Sequence, residues 1–164
     1  MKSILKIIFL ITILHLFSCS SREQEVNSPT TNPIPDDFVR GADMSNLPLI
    51  ESEGTIFKKN GVSENALTTL KNAGCNTIRI RIWKNPADNH SGLAEVKALA
   101  LRVKQAGMKV WLTVHYSDTW ADPANQQIPN IWQGLNFSTL KDSVYNYTKN
   151  VVTQIKPDYI QIGN

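Results

Sequence analysis

Ala73-Gly74-Cys75-Asn76-Thr77-Ile78-Arg79-Ile80-Arg81-Ile82-Trp83 is the stretch that decides the fold. Gly74 is a helix stop, and a strand begins a few residues later. Ile78, Ile80 and Ile82 alternate with Arg79, Arg81 and Trp83, so one face is apolar and the other polar. Upstream, Ser63 is positioned to cap a helix with Glu64 in its first turn, and Ala66, Leu67, Leu70 and Ala73 form its apolar stripe. Downstream, Leu93, Val96, Leu99, Ala100, Val103 and Ala106 repeat the stripe, closed by Gly107, before an apolar strand from Val110 to Val114. Phe137, Leu140, Val144, Tyr147, Val151 and Ile155 predict a third helix, with Pro157 just beyond it and a last strand ending at Ile162. Phe38-Val39-Arg40-Gly41-Ala42 predicts the first strand. Strands that alternate with helices read as a parallel sheet with crossover helices.

Each predicted strand runs into polar residues at its C-terminal end: Asp43, then Arg81 and Trp83, then His115 and Asp118, then Asn164. In a (β/α)8 TIM barrel those ends ring one mouth, where side chains converge on a site. The connections Met44 to Val62 and Ser117 to Leu135 are long and leave from that same face, which is where functional loops sit. Such a barrel takes about 250 residues. The chain has 164. The expectation is therefore an α/β chain with about the first four βα units, residues 38–164 being the N-terminal half of a barrel whose second half is absent.

The 17 Lys and Arg stand against 14 Asp and Glu, and removing Lys2 and Lys6 of the leader leaves 15 against 14. A net charge of +1 carries no nucleic-acid footprint. Residues 1–18 read as a signal peptide: a positive head, then an apolar run from Ile7 to Phe17, too short for the roughly 20 residues that span a bilayer. Leu16-Phe17-Ser18-Cys19 resembles the bacterial lipobox, which makes Cys19 the lipidation site. Residues 19–37 then form a polar, Pro-containing tether. A membrane-anchored, secreted lipoprotein of the bacterial cell envelope is the expected location. Cys75, the remaining thiol, is expected to be a small buried hydrophobe.

Arg79 and Arg81 face the interior, where a guanidinium needs a partner. Arg81, nearer the mouth, is read as a site residue and Arg79, deeper, as structural. Trp111, Thr113, His115 and Ser117 share one face of the third strand, and Tyr116, Asp118, Trp120 and Asp122 crowd the positions beside and beyond it. Hydroxyl-rich sugars need such donors, acceptors and flat rings. Trp120 and Trp132 either stack on a sugar or pin the loop. No His or Cys spacing suits a metal, and neither a nucleophile elbow nor a phosphate loop is present, so no metal or cofactor is expected. Glycoside hydrolysis ordinarily uses two carboxyl groups about 5 to 9 Å apart. The Glu residues at 23, 25, 51, 53, 64 and 95 all lie away from strand tips, and Asp43, Asp118 and Asp122 are read as ligand-binding or loop-fixing groups.

Four motifs carry a specific resemblance: Gly41-Ala42-Asp43-Met44-Ser45, the stretch Ala73 to Trp83 with Asn85-Pro86, the block His115-Tyr116-Ser117-Asp118-Thr119-Trp120-Ala121-Asp122-Pro123, and Gln161-Ile162-Gly163-Asn164. Together they resemble family 53 glycoside hydrolases, the endo-β-1,4-galactanases. The resemblance implies a retaining barrel enzyme that cleaves β-1,4-galactan chains of arabinogalactan. It places the acid/base Glu directly after Asn164 and the nucleophile Glu at the tip of strand seven. It makes Asn164 a ligand of the hydroxyl beside the reacting carbon, Arg81 the strand-two arginine beside the nucleophile, and His115 a strand-three site residue. The expected substrate-binding set is Asp43, Arg81, Trp83, His115, Asp118, Trp120 and Asn164. Ending one residue before that Glu, the chain as given is expected to be inactive, with galactan as partner and no oligomer. The alternatives are a galactan-binding surface lipoprotein without catalysis, or a mannanase or cellulase on the same barrel.

Overall fold

The computed structural model describes residues 37–164, and Phe38–Asn164 form one compact unit. The leader, Cys19 and most of the tether lie outside the described residues. The elements run β1 (Gly41–Asp43), α1 (Leu47–Ser52), β2 (Lys58–Lys59), β3 (Val62–Ser63), α2 (Ala66–Asn72), β4 (Thr77–Ile82), α3 (Leu93–Gln105), β5 (Lys109–Val114), a 3-10 turn (Asn130–Trp132), α4 (Phe137–Ile155) and β6 (Tyr159–Ile162). Four strands form one sheet in the order β1-β4-β5-β6, every pairing parallel. They are three consecutive βα units and a fourth strand of a TIM-barrel fold, laid side by side in chain order.

The alternation read at Ile78 decides the layers. Ile78, Ile80 and Ile82 on β4 and Val110, Leu112 and Val114 on β5 are all essentially inaccessible to solvent. They pack against Leu67 of α2, Val96, Leu99 and Val103 of α3, and Val151 and Ile155 of α4. Each such side chain contributes roughly 1.5–3 kcal/mol on burial, so this layer holds the sheet to its helices. Arg79, Arg81, Trp111 and Thr113 occupy the other face. The connections that enter the strands are short, whereas those that leave carry α1, the β2-β3 hairpin and the 3-10 turn.

Several local expectations change. The first strand begins at Gly41 rather than Phe38, because Phe38 and Val39 are exposed and Arg40 N–H bonds the Asn76 side chain instead of a ladder partner. The helix expected to start at Ser63 is α2, and it is capped by Asn65, whose side chain accepts from Leu67 and Thr68 N–H. Ser63 is taken by the hairpin, paired with Lys58, and Ala73 is an exposed C-cap rather than part of the stripe. The connection from Met44 to Val62 is structured, not open loop: its hairpin turns at Asn60-Gly61, both left-handed at φ +51° and +82°. Cys75 is half-buried, its Sγ 3.3 Å from Thr77 O.

At its end α4 reaches Lys156, left-handed at φ +51°, followed by Pro157. Lys104 Nζ donates to the Ile155 and Lys156 carbonyls at 2.9 and 2.6 Å, which ties α3 to the terminus of α4. The turn into β6 is thereby fixed, and with it the position of Asn164.

Candidate functional site

The strand tips converge. Arg79 extends from β4 and donates from Nη1 to Asp43 Oδ2 at 2.6 Å and from Nη2 to Asn164 Oδ1 at 2.9 Å, joining β1 to the end of β6. Asn164 Nδ2 in turn donates to Ala121 O, so the amide is held at both ends. Asp43 Oδ1 accepts from the Ser45 hydroxyl at 2.6 Å and the Ser45 N–H at 2.9 Å. Burial pushes the Asp43 carboxyl up, but the two Ser45 bonds and the Arg79 guanidinium outweigh it and hold it below its usual value. Ser45, itself buried, also accepts from Arg81 N–H at 2.9 Å.

Arg81 points along a second line. Its Nε donates to Ser91 Oγ at 3.1 Å and its Nη2 to Asn46 Oδ1. The guanidinium carbon lies 4.9 Å from the Trp83 ring centroid and 5.6 Å from that of Trp120. Trp120 is 45% exposed and offers its ring to the mouth, with Nε1–H bonded to Asp122 Oδ2 at 3.0 Å. Trp132 is buried against Tyr147 at 5.7 Å between centroids, so of the two loop tryptophans it is the one that pins the loop.

His115 sits between these groups, 5% exposed. Its Nδ1 accepts from Trp83 Nε1–H and from Ala121 N–H, each at 3.3 Å, which leaves the proton on Nε2. Burial first, then the Arg79 and Arg81 guanidiniums, push its pKa down to about 4, against a smaller opposite pull from Asp43. The ring is therefore neutral near pH 7. Its Nε2 is buried without a hydrogen-bond partner among the described residues. Beside it opens a cavity of about 300 Å³ lined by His115, Tyr116, Ile128, Pro129, Trp132 and Asn164 among others.

Of the residues expected to bind substrate, Asp43, Arg81, Trp83, His115, Trp120 and Asn164 lie in one network. Asp118 stands apart: its Oδ2 accepts from Asn130 N–H at 2.8 Å and stabilises the loop, while its Oδ1 is buried without a partner among the described residues. Asp122 also works within the loop, accepting from Ala124 N–H. Arg79 and Ser45 join the site although the sequence reading did not select them. For Ser45, the signal was its place two residues beyond Asp43, where a hydroxyl can close on the carboxylate. Among the described residues no three His, Cys, Asp or Glu side chains gather as metal ligands, and no helix is long and apolar enough to cross a membrane.

A parallel βα sheet whose strand tips carry a hydrogen-bonded, aromatic-walled cluster is the arrangement of a TIM-barrel fold, in which functional sites sit at the C-terminal ends of the strands. The chain belongs to glycosyl hydrolase family 53, whose family model matches residues 39–164. It is 40% identical over 136 residues to the endo-β-1,4-galactanase of Bacillus subtilis (strain 168), a match covering 77% of this chain and 32% of that protein. A solved fungal β-1,4-galactanase superposes with a TM-score of 0.73 at 38% identity, covering 77% of this chain and 40% of that one. The Ignisphaera aggregans family 53 catalytic domain gives 0.76 at 36% identity, covering 80% and 41%. The chain thus spans about a third to two-fifths of the relatives it matches.

Proposed function

We infer that this chain supplies the N-terminal half of an endo-acting, retaining β-1,4-galactanase that cleaves galactan chains of arabinogalactan. The observation that carries the reading is Asn164, locked between Arg79 and Ala121 at the tip of β6. A residue following it would be delivered to the mouth beside an anchored side chain, and the family resemblance makes that residue the acid/base Glu. The nucleophile Glu belongs to the second half of the barrel. Arg79 and Arg81 face the mouth with Asp43 as the nearby counter-charge, a cationic setting that favours an ionised carboxylate nucleophile. Neutral His115 holds the Trp83 ring and the Ala121 amide in place through Nδ1, and Trp83 and Trp120 offer faces to the CH groups of a sugar.

Asn164, by bonding the hydroxyl beside the reacting carbon, contributes most when that carbon gains positive character. Cys19 anchors the protein to the bacterial envelope by its lipid, with residues 20–37 as tether. The test uses the full-length protein on galactan, mannan and carboxymethyl-cellulose, reading new reducing ends and the anomer first released. Internal cleavage of galactan with retained β-configuration is expected. Binding without cleavage would replace the enzyme by a galactan-holding lipoprotein, and cleavage of mannan or cellulose instead would move the specificity.

A further inference from the structure

The loop between β4 and α3 contains a chain of contacts that none of the roles above uses. Ser91 is 2% exposed although it lies in a polar loop. Its backbone is left-handed at φ +60°, a region that residues with a β-carbon rarely adopt, and Asn89, two residues earlier, is left-handed too, at φ +65°. Such a conformation persists only where its surroundings hold it. Glu95, in the first turn of α3, holds it: Oε2 accepts Ser91 N–H at 2.6 Å, and Oε1 meets His90 Nδ1 at 2.7 Å. Ser91 O accepts Trp83 N–H at 2.8 Å, which ties the same residue to the end of β4. What this clamp presents to the site is Ser91 Oγ, the acceptor for Arg81 Nε–H.

We propose that Glu95 is a positioning residue which, acting through Ser91, fixes the guanidinium of Arg81 between Trp83 and Trp120 and so sets how tightly the mouth grips a sugar. This rests on the reading of the mouth as a galactan site. An arginine side chain has four rotatable bonds and is costly to order unless its fork is anchored. Ser91 anchors one edge and Asn46 anchors Nη2, while Nη1 has no hydrogen-bond partner among the described residues. Freed from Ser91, the plane rotates and both ring contacts weaken. Glu95 itself faces away from the mouth, toward the loop backbone and His90. A capping role would aim Glu95, at the third position of α3, at the amide of the N-cap residue Gly92; it bonds instead the amide of Ser91, one residue further out.

The experiment compares Glu95→Gln, Glu95→Ala and Ser91→Ala in the full-length protein. Two readouts are taken: kcat and KM on galactan, and the solvent exchange of the Arg81 Nε–H signal in 1H–15N spectra. Glu95→Gln keeps an acceptor for Ser91 N–H and should match the wild type in both. Glu95→Ala and Ser91→Ala should raise KM about five- to tenfold with kcat within about twofold, as for a lost charge-assisted bond in uniform binding. In both, Arg81 Nε–H should exchange fast. Ser91→Ala leaves α3 and Glu95 intact, so it decides the matter if Glu95→Ala folds poorly. A fall in melting temperature with KM and the Arg81 signal unchanged would overturn the proposal, as would Glu95→Gln behaving like Glu95→Ala. If the wild type does not cleave galactan, the galactanase reading fails and the Arg81 exchange still judges the positioning claim. If it does cleave and the exchange never changes, the positioning claim fails alone.

Discussion

Acidifying the full-length protein should protonate His115 only near pH 4 and should weaken the fold on the way there. The Nδ1 lone pair receives N–H groups from Trp83 and Ala121, both at 3.3 Å, so a proton added at that nitrogen would face two donors. Burial, with Arg79 and Arg81 nearby, opposes the charge further, and the pKa falls from 6.5 to about 4. Because the folded value lies below the unfolded one, the unfolded chain binds the proton more readily between them. The contribution to stability is therefore complete above about pH 6.5 and is lost as the pH falls toward 4. A displacement of that size corresponds to about 3 kcal/mol. Long-range 1H–15N correlation of the imidazole gives both the tautomer and the midpoint. Urea denaturation between pH 7 and 4, with His115→Asn as a non-titrating control whose Oδ1 stands near the Nδ1 position, separates this effect from the carboxylates. A ring that titrates near 6.5, or a neutral form protonated on Nδ1, would refute the reasoning.

Trp120→Ala should weaken galactan binding by about 1 kcal/mol, several-fold in Kd by calorimetry, with little change in melting temperature because the ring is 45% exposed; unchanged affinity would remove it from the sugar platform. Asn164→Ala should lower kcat more than it raises KM, since an amide held between Arg79 and Ala121 acts by orientation in the transition state; equal effects on both constants would make it a simple binding group. Cys19→Ser should move the protein from the membrane to the soluble fraction, because without acyl chains the polar tether has nothing to insert. Unchanged partition in that variant would rule out the lipid anchor.

The parts of the fold legible in the sequence are those that depend on one element at a time. The alternation from Ile78 to Trp83 reports a two-faced strand whatever lies beside it, and the stripe from Leu93 to Val103 reports a helix in the same way. Ser63 misled because it satisfies the rules for a cap, but so does Asn65, and the hairpin that engages Ser63 with Lys58 chose between them. Its turn at Asn60-Gly61 was a readable hairpin signal. The two arginines show the deeper limit. Ranking Arg81 above Arg79 by distance along β4 assumes that neighbouring strands end level. They do not: β1 pairs Asp43 with Arg79, so the tip of β1 is level with the deeper arginine. Strands in a barrel are staggered, which makes the mouth oblique to any one of them. In a hairpin the turn would have betrayed the register, but here a helix intervenes between each pair of strands and register leaves no local trace. Arg79 thus meets Asp43 and Asn164 while Arg81 turns to the aromatic wall. A site assembled across parallel strands can be listed residue by residue from the sequence, but its wiring is set by the stagger.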